Sequence, residues 1–478
     1  MAIVSQQPGR RGRGVELVLL LLGLAIGLYA YLQVGLATEG APPADIVTQV
    51  GVLVVLALVT HVVLRWRAPY ADPVILPVAV ALNGIGLAMI HRIDIAEGSA
   101  FASRQVLWTM LGVAAAVAVV IALRDHRLLR RYTYLSMILG LVMLLLPLLP
   151  GLGRTINGAR IWISIGSMSF QPAELAKVLL AIFFAGYLVT NRDTLALAGR
   201  RVLGLQLPRV RDLGPILLAW AVALVVLVFQ RDLGTALLFF ALFVAMLYVA
   251  TERVSWVLLG LLLFGGAAAL AATTLGHVSD RFDVWLNALD PDIYSRQFGG
   301  SYQVVQGLFG MASGGLMGTG WGQGRPDIVP YAQSDFIIAS LGEELGLTGL
   351  LAILLMYLVL AQRGMRAAIG VRDGFGTLLA SGLSFVVAFQ CFVVVGGVTR
   401  LIPLTGLTMP FLAQGGSSLV VNWVIVALLL RISDAARRPV PMSGDLPIGP
   451  LDTSGDVAEV SFRPTGDDAN PTEVVRLS

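Results

Sequence analysis

A polytopic, all-α membrane fold is what this chain predicts, and three observations predict it. Of its 478 residues, 57% are hydrophobic and 13% charged, where a soluble globular chain carries about a quarter charged residues. Apolar runs long enough to cross the hydrocarbon core as helices recur along its length. Arginines then alternate between the connecting segments: with the N-terminus inside, 21 fall on the cytoplasmic side and 9 outside, as the positive-inside rule requires.

The runs lie at 15–36, 46–66, 74–91, 105–123, 131–149, 172–190, 213–229, 232–250, 254–274, 335–361, 374–396 and 411–431, twelve in all. Residues 1–14 are polar and basic, with Arg10, Arg11 and Arg13. The run behind them is too long for a signal peptide and no small-residue cleavage site follows it, so it reads as a retained helix. Residues 37–45 are a short acidic turn. Residues 150–171 form a longer external segment with Trp162 and Phe170 placed as interfacial aromatics. Residues 275–334 make an external loop too long to be a mere connector, the kind that carries function. Beyond Ser433 the chain is polar, with prolines and aspartates, and reads as a disordered cytoplasmic tail. No internal repeat supports an inverted-repeat transporter.

Several function classes drop out. The net charge of +4 is accounted for by the loop arginines and does not argue for nucleic acid. The single cysteine, Cys391, excludes an intrachain disulfide and cysteine-rich zinc spacing, and the four histidines are scattered. No phosphate-binding GxxxxGK[ST], HExxH or GxSxG is present.

The chemistry-bearing residues gather around the loop. A glycine-dense stretch, 299–333, hands over to an apolar run at Asp335, and Glu343 and Glu344 follow inside that run. Carboxylates at membrane depth are costly and mark function. At a helix start Asp335 would be favoured as an anion by the macrodipole and free N–H groups. It could then serve as a general base, as a helix cap, or as both. Glu343 and Glu344 admit substrate contact or pairing with a buried cation. Lys177 is the only lysine of the chain. In Gln171-Pro-Ala-Glu174-Leu-Ala-Lys177, Pro172 suits a first helical position and Glu174 and Lys177 are i, i+3 partners. A compact ammonium where arginine is otherwise used suits a phosphate, although a plain ion pair would look the same. Arg231 and Asp232 sit between two spans, and Arg104 and Gln105 at the mouth of another, each able to meet a lipid phosphate or to be a solvated charge. The run 402–418, with Pro403, Pro410 and Gly-Gly-Ser-Ser, breaks a helix where irregular backbone is tolerated only along a cavity.

Six stretches in order, NGARIWI (157–163), QPAELAK (171–177), QRDLGTA (230–236), YQVVQGLFGMASGGLMGTGWGQG (302–324), SDFIIASLGEELGLTG (334–349) and IPLTGLTMPFLAQGGSS (402–418), resemble the shape, elongation, division and sporulation (SEDS) family, the RodA/FtsW/SpoVE peptidoglycan polymerases. The resemblance spans residues 74–431 and implies a ten-helix core at 74–433, so 15–73 would be two additional N-terminal helices. With the arginine-rich composition this is similar to the RodA branch in actinobacteria. Departures are Arg231 where the family has proline and Ala413-Gln414 where it has Ser-Tyr.

The resemblance implies polymerisation of lipid II into β-1,4-linked glycan, with release of undecaprenyl pyrophosphate at the external face of the bacterial cytoplasmic membrane. Asp335 falls on the family's invariant aspartate and would be the base. Gln171, Glu174 and Lys177 fall on its QPxE-x-x-K. Lys177 with Arg104 or Arg231 would steady the charge on the pyrophosphate. Magnesium or manganese could share that load, without a dedicated ligand set. The implied partners are the growing glycan strand, a class B penicillin-binding protein transpeptidase, and proteins of an elongation or division complex. A lipid II flippase and an FtsW-type division polymerase are the alternatives.

Overall fold

The computed structural model describes residues 13–439, apart from 157, 166–167, 193–200, 203–204, 207–213, 215–220, 223–224, 226–227 and 298. Eleven stretches among the described residues are helical, long and apolar enough to cross a membrane. The expected span at 213–229 falls for the most part outside the described residues, as does the expected tail.

The helices that position the site are α1 (Arg13–Thr38), α2 (Ile46–Arg67), α3 (Ile75–Glu97), α4 (Phe101–Ala122), α5 (Thr133–Leu145), α6 (Pro172–Thr190), α7 (Leu233–Thr251), α8 (Val254–Thr274), α9 (Gly276–Leu286), α10 (Tyr302–Gly314), α11 (Ile337–Gly370), α12 (Gly374–Val398) and α13 (Gly416–Arg437). Burial sorts them. The windows of α3, α6, α12 and α13 are mostly buried, whereas α8 is exposed nearly all round, which an all-apolar helix accepts in lipid.

Lipid offers little hydrophobic drive between helices, so close approach relies on small residues. Gly23 and Gly27 of α1 bring it against Pro77, Ala81 and Gly84 of α3; a β-carbon on Gly27 would lie 3.0 Å from Gly84 Cα. Several charged and polar side chains inside the bundle are paired, which offsets the cost of burying them. Glu16 takes Arg13 and His61, the latter through Nδ1 at 2.7 Å. The Trp423 indole donates to Asn83 (3.3 Å), whose amide donates to Thr109 (3.3 Å).

Two features depart from what the sequence suggests. The segment near 150–171 is a three-stranded antiparallel sheet of β1 (Gly153–Ile156), β2 (Ala159–Ile165) and β3 (Met168–Phe170), with Arg154 opposite Trp162 and Ile163 opposite Phe170. Likewise, α11 is not one continuous rod. Gly346 has φ 68° and ψ −173°, splitting off a half-helix, 337–345, from the long stretch beyond. The N–H groups freed by the break go to the loop: Leu347 donates to Gly315 O (3.0 Å) and Thr348 to Leu316 O (3.1 Å). The long loop is itself folded, with α9 and α10 inside it.

The stretch 402–415 is irregular, as expected, and the last span starts only at Gly416. Its carbonyls are bonded by side chains from four helices. Arg281 donates to Leu404 O (2.7 Å), Gln390 to Thr408 O (2.8 Å), Tyr357 to Pro410 O, and Gln105 to Ala413 O (3.1 Å). Gly86 lets α3 lie against the same stretch; a β-carbon there would sit 2.6 Å from Leu412 O. Gly86→Val is therefore expected to cost about 1–3 kcal/mol by overpacking, read as a lower unfolding temperature in detergent. An unchanged temperature would contradict this contact.

Candidate functional site

The starts of α6, α7 and α13 meet at one end of the bundle. The Gln171 N–H donates to the Ser417 hydroxyl (3.2 Å), and its side-chain amide donates to Asp232 (3.3 Å). Asp232 is the N-cap of α7, accepting from the Thr235 N–H at 2.9 Å. A β-carbon on Gly234, one residue into α7, would sit 2.8 Å from Thr405 O, so α7 begins directly under the irregular stretch. Three helix N-termini pointing at one place favour an anion there.

Asp335 stands at the same end, but not as a cap. The first helical residue is Ile337, the N-cap position is Phe336, and no side chain caps it. The carboxylate faces the left-handed turn at Gly406 (φ 78°), its Oδ2 lying 3.7 Å from where a β-carbon would be. Burial pushes Asp335 up to about 6, against the pull of Arg281 and the Ser334 hydroxyl, while Asp232 adds to the rise. Desolvation thus outweighs the favourable neighbours. At neutral pH it remains mostly ionised, and a base in that range is well matched to its task.

Arg281 of α9 links the two aspartates. Its guanidinium feels both Asp232 and Asp335, and burial lowers its pKa. Burial also raises Asp232. Next to Arg281, His277 is held below the usual imidazole range by burial and by the cations of Arg231 and Arg281. Its Nε2 is buried without a partner.

Lys177 lies deeper, just over one helical turn into α6, and is 2% exposed. Its ammonium pairs with Glu174 (2.5 Å) and donates to Gln390 Oε1 (3.0 Å). Gln390 in turn holds Thr408 O, so the lysine is tied to the irregular stretch through one amide.

The remaining expected residues divide. Arg104 and Arg231 are exposed at this end, and Arg231 has a left-handed backbone (φ 61°). Glu343 and Glu344 are engaged by the chain itself. Glu344 pairs with Arg92 (2.9 Å) and accepts from the N–H groups of Gly322 (2.9 Å) and Gly324 (3.3 Å); Glu343 accepts from the Arg325 N–H (3.0 Å). They hold the glycine-rich loop, and of the two readings open for them Glu344 takes the pairing with a buried cation, Arg92. Arg281, His277 and Gln390 are not singled out by the sequence. Arg281 belongs to the external arginine tally, but no local pattern distinguishes it there.

Comparison with known proteins places these features in a family. A family model described as "Cell cycle protein", covering FtsW, RodA and SpoVE, matches residues 74–438. The chain is 47% identical over 448 residues to the peptidoglycan glycosyltransferase RodA of Mycobacterium tuberculosis, covering 92% of this chain and 94% of that one. It is 49% identical over 387 residues to the Mycobacterium leprae protein of the same name (80% and 81%). Against stage V sporulation protein E of Bacillus subtilis it is 33% identical over 376 residues (77% and 98%). A solved chain reported under "Structural coordination of polymerization and crosslinking by a peptidoglycan synthase complex" superposes with a TM-score of 0.61 at 25% identity, covering 77% of this chain and 98% of that one. The chain is a multi-pass membrane protein and belongs to the FtsW/RodA/SpoVE family.

Proposed function

We propose that this protein is a peptidoglycan glycosyltransferase of the elongation type that polymerises lipid II. The observation that carries the reading is a half-buried carboxylate, Asp335, set across from Arg281 where three helix N-termini converge. The 47–49% identity to mycobacterial RodA, against 31% to a probable peptidoglycan glycosyltransferase FtsW of Geobacter sp., supports the elongation type over the division type. The arginine distribution supports cytoplasmic termini and an external active face in the cytoplasmic membrane. Similarity to a chain from a synthase complex that coordinates polymerization with crosslinking supports a class B penicillin-binding protein as the crosslinking partner.

In this reading Asp335 accepts the proton of the acceptor's GlcNAc 4-hydroxyl as that oxygen attacks C1 of the donor MurNAc. The new C1–O bond forms as the bond from C1 to the diphosphate oxygen breaks, with inversion from α to β. Negative charge grows on the leaving diphosphate. In this reading Arg281, Lys177 and the N-termini of α6, α7 and α13 meet it. Arg231 and Arg104, exposed at the rim, steer the anionic lipid inward. Among the described residues no three His, Cys, Asp or Glu side chains converge to hold a metal. The described residues therefore offer no protein cage for magnesium or manganese.

Two outcomes test the mechanism. Asp335→Ala, folded and membrane-inserted, is expected to give no polymer from purified lipid II on gels while still binding it. Retained synthesis would overturn the base assignment, and transport of labelled lipid II across vesicles without polymer would favour the flippase alternative. The second outcome concerns pH. Because the base works ionised, the rate should fall as pH drops through about 6, where the Asp335 carboxylate takes up a proton. Arg281→Gln removes a cation that lowers Asp335 and should move that acid limb upward. Asp232→Asn removes a neighbouring anion and should move it downward. Limbs that stay in place in both variants would contradict the assignment.

A further inference from the structure

We infer that α1 and the turn after it, which lie before the family match, are a positioning element for the reaction. The outer end of α1 holds the glycine-rich loop in register with the half-helix that follows Asp335. The inference rests on the glycosyltransferase reading.

Two contacts carry it. The first is direct. Gly322 is left-handed (φ 79°) and lies on the last turn of α1; a β-carbon there would come to 2.8 Å from Ala37 Cβ, 3.2 Å from Thr38 Cγ2 and 3.4 Å from Val34 O. The N–H of this same glycine donates to Glu344 (2.9 Å). The second contact runs through α3. The turn 37–45, featureless in the sequence, supplies Asp45, whose two oxygens each accept from the Tyr31 hydroxyl at 3.0 Å. The Tyr31 ring stacks on His91 at 4.4 Å and 17°. The residue after His91 is Arg92, which reaches Glu344 (2.9 Å) and Gly324 O (2.7 Å).

Both routes end on one carboxylate, and the half-helix that bears it is tied to the loop along its length. Thr319 and Gly320 donate to the carbonyls of Glu343 (3.0 Å) and Glu344 (2.9 Å). A β-carbon on Gly314 would sit 2.2 Å from Gly342 O. These contacts connect α1 through Gly322 to the half-helix, so a shift at Gly322 is passed to the segment that follows Asp335. The diphosphate-facing groups on α6, α7 and α9 are not on this route. Displacement should therefore act on turnover rather than on lipid II binding.

A double-mutant cycle in the full-length protein tests this. Gly322→Ala is expected to lower kcat by about tenfold or more, since small misplacements of reacting groups cost that much, with KM for lipid II nearly unchanged. Adding Ala37→Gly removes the facing β-carbon and should restore a substantial part of kcat. Backbone strain at a left-handed position would not respond to Ala37. No loss in the single variant, or no recovery in the double, overturns the inference.

If Gly322→Ala does not fold, Tyr31→Phe is read instead. It should slow turnover and speed hydrogen exchange in 315–325, and wild-type values for both overturn the inference. Wild-type protein that makes no polymer would instead sink the glycosyltransferase reading itself.

Discussion

Irregular backbone within a helical membrane bundle must have its polar groups bonded by something other than a helix. In this protein that constraint falls on residues 402–415, and the site follows from how it is met. Arg281, Gln390, Tyr357 and Gln105 each give a donor to a carbonyl of the stretch. Arg281 also faces Asp335, and Gln390 also holds Lys177. Two of the four side chains that make the break tolerable thus also fix charged groups of the site.

The same economy explains the electrostatics. A carboxylate, a guanidinium and a second carboxylate share a partly desolvated space, so burial raises Asp335 while Arg281 limits the rise. The result is a base that is ionised at neutral pH yet basic enough to take a proton. Lys177 is kept below this layer, where Glu174 offsets the cost of burying its charge. The carboxylates of Glu343 and Glu344 do different work, gathering the glycine-rich loop through its own N–H groups.

Much of the fold is legible in the sequence because its signals are long: eleven of the twelve apolar runs are helices of spanning length among the described residues. Asp335, Glu174 and Lys177 are legible because charge inside an apolar run is conspicuous. Less visible is anything set by long-range contact. Arg281 looks like any external arginine until α9 folds back on Leu404, and Gln390 is one polar residue in an apolar span. The strands at 153–170 are too short for their alternation to stand out, and the break at Gly346 looks like a helix-compatible glycine. Asp335 resembles a cap in the sequence because the chain shows where a helix could start, not which residue is desolvated. The turn 37–45 looks idle for a similar reason, since the partner of Asp45 is on α1.

The central claim is that Asp335 meets a sugar hydroxyl while the groups around Lys177 and Arg281 meet a diphosphate. A structure of the Asp335→Asn protein with lipid II bound tests it most directly. An acceptor hydroxyl is expected within about 3 Å of the residue 335 side chain, and the diphosphate against Arg281 and the starts of α6, α7 and α13. A diphosphate bound at the opposite end of the bundle, or a residue 335 walled off from both sugars, would contradict it.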